Sequence, residues 1–249
     1  MTSSYSFPST ASFVPFFLHL DRTDSTNAVC RREAKLKDYS LVITTNQTSG
    51  RGRRNREWVS QPGEGIALTF VLPPQGKGRL VPDTWVPHIV GFAVVEALKD
   101  LHISGVGLKW PNDILVSGKK IGGVLCEKIA TGQVLVGVGM NIGFQGQRPS
   151  PHAVGLTDHI EVNPGTPDSV VLGALSTLRD AMAWSASLAH ERVTGVTNTI
   201  GRKVRVEEPG GRIWLATAQG LDGSGRLVVV DESGTSHSLA ASEVEHLFQ

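Results

Sequence analysis

Cysteine is nearly absent, with Cys30 and Cys126 the two thiols in 249 residues. Two thiols cannot make a disulfide framework, a four-cysteine zinc site or a CxxC redox pair, and a reducing compartment fits that usage. An excess of one charge is also lacking, since 24 Lys and Arg face 23 Asp and Glu for a formal net charge of +1. Long-range attraction to a polyelectrolyte needs an imbalance, so any electrostatic function must be local. No window approaches the roughly 18 apolar residues of a membrane span. The apolar run from Phe13 to Leu20 is broken by Pro15 and His19, and no Lys or Arg precedes Arg22, so it lacks the positive flank of a secretory signal. A soluble, cytoplasmic protein is expected, with neither nucleic acid nor membrane as partner.

Several catalytic signatures are missing too. There is no GxxxxGK[ST] phosphate loop, no GxGxxG opening a helix, no HExxH and no GxSxG elbow. The eight histidines show no ligand-like pairing, and His88, His102 and His152 read as surface or packing residues. Cys126 lies in an apolar run and reads as a packed thiol rather than a nucleophile.

What the chain does contain is an ordinary globular composition rich in turns, 40% apolar with 28 glycines and 13 prolines. The segment Asp24 to Leu36 predicts a helix capped by Ser25 or Thr26. Residues 41–45 and 66–71 are short and β-prone, and read as strands. Apolar residues at helical spacing predict helices over 84–101 and 168–190. Between those helices, residues 106–110, 113–116, 121–129 and 133–144 alternate with Ser-Gly and Thr-Gly turns, as a meander of antiparallel hairpins does. Residues 200–249 change character, with three β-prone runs separated by glycine turns, which suggests a small barrel. Its five basic and seven acidic residues give it a net charge of −2.

Four segments carry chemistry. GRGRRNREW, Gly50 to Trp58, sets four arginines within six residues. Its glycines let backbone approach a ligand, and guanidinium forks suit phosphate or carboxylate oxygens. Asn55, which tolerates positive φ, hints at a particular loop geometry. The competing reading is a solvated basic loop or an RNA patch, against which stand the acidic C-terminal segment and only 15 aromatic residues. KWPND, Lys109 to Asp113, offers a cation, an amide and a carboxylate around a proline-set turn, or is simply an Asn-Asp turn. GKKIGG, Gly118 to Gly123, places a lysine where it could steady developing negative charge or sit on a hairpin tip. In GVGMN, Gly137 to Asn141, strand glycines either admit a flat ligand or mark a bulge.

Taken in order, Ser25-Thr26-Asn27, Gln47, GRGRRNREW, KWPND, GKKIGG and GVGMN resemble the biotin protein ligases, from about Asp21 to the C-terminus. The resemblance implies an α+β fold: a mixed, largely antiparallel sheet with flanking helices, class II synthetase-like, over residues 1–195, and an SH3-like β-barrel over 196–249. It implies activation of biotin by ATP to biotinyl-5′-AMP with release of pyrophosphate. The biotinyl group then passes to a lysine of a biotin carboxyl carrier protein domain of an acyl-CoA carboxylase.

Carried over by motif, Arg51, Arg53 and Lys120 become the catalytic cations. Ser25, Thr26, Asn27, Gln47, Gly50, Gly122, Gly137 and Gly139 fall to the biotin site together with those cations. Arg53, Arg54, Arg56, Trp58, Lys109, Asn112 and Asn141 fall to ATP and the adenylate, and Asp113 lies near Mg²⁺. With the first motif at residue 25, a short form without the DNA-binding module of some relatives is expected. Asn55 and Glu57 depart from the family loop, where a glycine and a variable residue are usual. The lipoate-attaching enzymes are the nearest rival, though their pattern lacks the arginine-rich loop.

Overall fold

The computed structural model describes residues 5–33, 36–240 and 243–247. Among the described residues there are five α-helices: α1 Pro8–Phe13, α2 Thr26–Arg32, α3 Val86–Asp100, α4 Thr166–Ala181 and α5 Ala186–Thr194. The strands are β1 Phe17–Leu20, β2 Leu41–Thr44, β3 Gly50–Arg51, β4 Glu57–Trp58, β5 Gly65–Leu72, β6 Val106–Lys109, β7 Asp113–Val116, β8 Lys119–Lys128 and β9 Val134–Asn141. After the last helix come β10 Lys203–Glu207, β11 Ile213–Leu221, β12 Leu227–Asp231, β13 Ser236–Leu239 and β14 Glu243–His246.

A seven-stranded sheet runs in the order β1-β2-β5-β9-β8-β7-β6. Only the edge pair β1–β2 is parallel, and the meander from β6 to β9 is antiparallel as its turns imply. One face carries the main core, where Leu41, Ile43, Phe70, Val136 and Ile121 pack with α3 and α4. Side chains alternate across a strand, so Val42, Val71 and Leu135 emerge on the other face, where they meet Val29 and Cys30 of α2. That second cluster is small. Beyond it the same face is left open for the cavity described below.

Three expectations need correction. The helix over 168–190 is two helices: the chain leaves α4 at Met182, whose carbonyl accepts Leu80 N–H at 2.8 Å, and Ser185 restarts the helix by accepting Leu188 N–H at 3.2 Å. Helix α2 ends at Arg32, short of Leu36, with Ala34 of that stretch outside the described residues. Ser25 holds the N-cap position without capping through its side chain; Asp24 accepts Ser25 N–H at 2.8 Å and Gln47 accepts Thr26 N–H at 2.9 Å instead.

The N-terminal run that resembles no signal sequence has a structural use. Asp168 accepts the Ser9 and Thr10 amides, pinning α1 to α4, and β1 then closes the sheet edge. Strands β10 to β14 form a five-stranded antiparallel sheet in the order β13-β12-β11-β10-β14. Its β11–β12 turn is held by the larger unit, with Trp85 Nε1 donating to Gly223 O at 3.0 Å and Trp110 Nε1 to Gly225 O at 3.1 Å.

Candidate active site

A cavity of about 280 Å³ opens on the α2 face of the large sheet. Alternation along three adjacent strands supplies its floor: Ala67 from β5, Gly137 and Gly139 from β9, and Gly123, Leu125 and Glu127 from β8. The floor glycines are required by what rests on them. A Cβ at Gly137 would lie 2.7 Å from Asn27 Oδ1, and one at Gly139 would lie 2.5 Å from the Trp58 indole. So strand glycine here serves close approach, but by the side chains of Asn27 and Trp58, where the sequence reading has a flat ligand against the backbone.

One end is polar and its side chains are bonded to one another. Gln47 caps α2 through Oε1, which leaves its Nε2 as the donor end of the amide. Thr26, 3% exposed, places its hydroxyl 2.8 Å from that of Thr69. Thr69 donates to Asn27 Oδ1 at 2.5 Å, and Asn27 Nδ2 donates to Glu127 Oε2 at 2.5 Å. Glu127 also pairs with Arg31. Asp24, held far below the usual carboxylate range chiefly by its hydrogen bonds to Arg32, orients the entry to α2.

The other end is cationic. A β-bulge lies between the pairs Ile114–Gly122 and Leu115–Lys120, inserting one extra residue on β8. Without it, strict alternation would turn Lys120 into the core; with it, Ile121 is buried and Lys120 lines the cavity. Its Nζ lies 2.5 Å from Asp113 Oδ1 and 5.8 Å from the Trp58 ring centroid. Arg51, Arg53 and Arg56 enter from the β3–β4 loop, and Arg53 Nη1 reaches Asn112 Oδ1 at 3.4 Å. The left-handed residue of that loop is Arg54, at φ 53°, rather than Asn55. Lys109, Trp110 and Pro111 complete this wall, with a cis bond before Pro111.

Four expected site residues do not line the cavity. Arg54 turns toward the C-terminal sheet and donates to Glu207 O at 3.4 Å. Asn141 is buried, its Nδ2 donating to Val154 O at 2.9 Å, so it secures the segment after β9. Gly122 packs its α-carbon toward Gly139 O and Ile114, and Gly50 makes room for Gln47 Nε2, where a Cβ would lie 2.5 Å away. Conversely, Asp24, Arg31, Glu127 and, from β14, Val244 line the cavity without having been singled out, and Thr69 supports it from behind. Only long-range pairing could reveal those. Asp113 is tied to Lys120, and among the described residues no group of three His, Cys, Asp or Glu could hold a metal ion.

Residues 19–144 match the biotin/lipoate A/B protein ligase family, and residues 199–247 match the biotin protein ligase C-terminal domain. A biotin–[acetyl-CoA-carboxylase] ligase of Mycobacterium tuberculosis is 33% identical over 245 residues, covering 91% of this chain and 87% of that protein. The chain belongs to the biotin protein ligase family. A second ligase of the same description, from Paracoccus denitrificans, is also 33% identical, covering 86% of this chain and 94% of that protein. Among solved structures, the biotin protein ligase of Leishmania major in complex with biotinyl-5-AMP is 27% identical, with a TM-score of 0.63 over 91% of this chain and 99% of that one. The Aquifex aeolicus biotin protein ligase in complex with biotin and ATP superposes at a TM-score of 0.79 over 94% of this chain and 100% of that chain, at 22% identity, a likeness of fold. Biotin protein ligase membership thus rests on both the sequence and the fold, and the α+β architecture with an antiparallel C-terminal sheet is the one the motifs imply.

Proposed function

We propose that this biotin protein ligase activates biotin with ATP and transfers it to a lysine of a carrier domain of acetyl-CoA carboxylase or a related carboxylase. The observation that carries the proposal is the convergence of Arg51, Arg53 and Lys120 at one end of a cavity whose other end is a fixed polar wall. A biotin carboxylate oxygen attacks the α-phosphorus of ATP, the bond to the bridging oxygen breaks, and pyrophosphate leaves. Two anions must meet for this, and fixed cations offset their repulsion. No protein nucleophile is needed, which agrees with the missing serine and cysteine signatures. The carrier lysine amine then attacks the acyl carbon, forms the amide and expels AMP.

Ser25, Thr26, Asn27 and Gln47 suit the biotin head group, and Gly137 and Gly139 the floor beneath it. Arg53, Arg56, Lys109 and Asn112 suit the nucleotide, and Trp58 braces the loop above. Mg²⁺ is expected as a companion of the ATP phosphates, to which it binds with few protein ligands. Asp113 fits as one such ligand, through the oxygen not given to Lys120. We further propose a division into a catalytic domain over 1–195 and a C-terminal domain over 196–249.

The test is ATP–pyrophosphate exchange with biotin and lipoate offered separately. Exchange with biotin alone is expected; exchange with lipoate alone overturns the reading.

A further inference from the structure

We propose that Glu127, acting through Asn27 and Thr69, sets the direction of the hydrogen bonds at the polar end of the cavity and so selects a ring bearing N–H donors. The inference rests on the biotin reading above and adds a positioning residue behind it. An ionised carboxylate only accepts, so Asn27 must turn Nδ2 toward Glu127 and Oδ1 toward Thr69. Thr69, 2.5 Å from Oδ1, must then give its one proton to Asn27. With that proton given to Asn27, Thr69 cannot also donate across the 2.8 Å to the Thr26 hydroxyl, so that contact needs the Thr26 proton, for which Gln47 Oε1 at 3.4 Å is the more distant acceptor.

Thr26 thereby spends its only hydroxyl proton away from the ligand, and toward the cavity it lines it offers lone pairs alone. Cys30 agrees with this direction, because burial pushes its thiol up to about 12 and it cannot draw the Thr69 proton as a thiolate. Gln47 is fixed in the opposite sense: Oε1 accepts Thr26 N–H, leaving Nε2 as donor. An acceptor beside a donor complements a cyclic urea, which carries N–H and C=O side by side. A dithiolane ring carries neither.

The chain of bonds predicts a change that mere packing would not. In E127Q the new amide can donate, Asn27 can turn over, and Thr26 regains a proton to point at the ligand. In T69V the relay is cut and Thr26 is likewise released. The probes are biotin and the two cyclic carbamates in which one or other ring N–H is replaced by oxygen. All are assayed by pyrophosphate exchange with the full chain, with melting temperature as the folding control.

Wild type should prefer biotin over one of the carbamates by on the order of 10²-fold in kcat/KM, since a site built to bond an N–H rejects the analogue lacking it. That ratio should shrink about tenfold in E127Q and in T69V, whatever their absolute rates. Wild type that treats all three rings alike, or ratios unchanged in both variants, overturns the proposal while leaving biotin activation standing. Absence of exchange with biotin in wild type sinks the functional reading, and this inference with it.

Discussion

The polar end of the cavity and the arginine loop at its other end are built by opposite means. At the polar end, α2, β2, β5, β8 and β9 converge, and Thr26, Asn27 and Thr69 are at most 6% exposed, each held by named partners. The loop consists of two strands of two residues each around a left-handed Arg54, with Arg51 and Arg56 exposed. Shape discrimination needs side chains that do not move, whereas charges that gather around a phosphate can arrive with a closing segment. The difference suggests that selectivity for the vitamin lies in the wall, and rate lies in the loop and the bulge lysine.

The largest expected effect is on the cationic side. K120A and R53A should each lower biotin-dependent pyrophosphate exchange on the order of 10²-fold, as loss of other charge-stabilising donors does. Near-normal exchange in both would remove the loop from the rate. On the wall, G137A should instead raise the KM for biotin by about tenfold with kcat little changed, because its Cβ would enter the space of an Asn27 held by two bonds. A fall in kcat at constant KM would blur the contrast between the two ends.

Acid should act behind the loop. Burial, aided by the nearby Arg53 charge, depresses His88 to about 4. The unfolded chain binds this proton first, so the contribution of neutral His88 is full above pH 6.5 and is lost as pH falls from there toward 4. The melting temperature should drop over that window, and less steeply in H88Q; equal slopes would show that other groups govern it. The smallest effect concerns Trp110, whose indole bond to Gly225 O ties the KWPND wall to the C-terminal sheet. W110F should cost about 1 kcal/mol of stability, read by denaturant unfolding.

Much of this was legible residue by residue. Arg51, Arg53, Lys120, Asn112 and Gln47 stand in local motifs, and the hairpins of β6 to β9 announce themselves by glycine turns. What escaped depends on pairs distant in sequence. Asp168 meets Thr10 from 158 residues away, and Glu127 meets Asn27 from 100. The break between α4 and α5 also escaped, because Met182 to Trp184 carries no proline or glycine to mark it and the Leu80 N–H donated to the Met182 carbonyl marks it instead.

By itself, the order of residues determined the turns, the alternation of strands and the clustering of arginines, all of which follow from conformations open to a few neighbouring residues. Only the tertiary structure decided that Lys120 faces the cavity, that Gly139 lies beneath Trp58, and that Asn141 and Arg54 serve elsewhere. A single extra residue in β8 reverses which side chains face the cavity, and a bulge of that kind is settled by the packing of Ile121 against the core, not by the sequence around it.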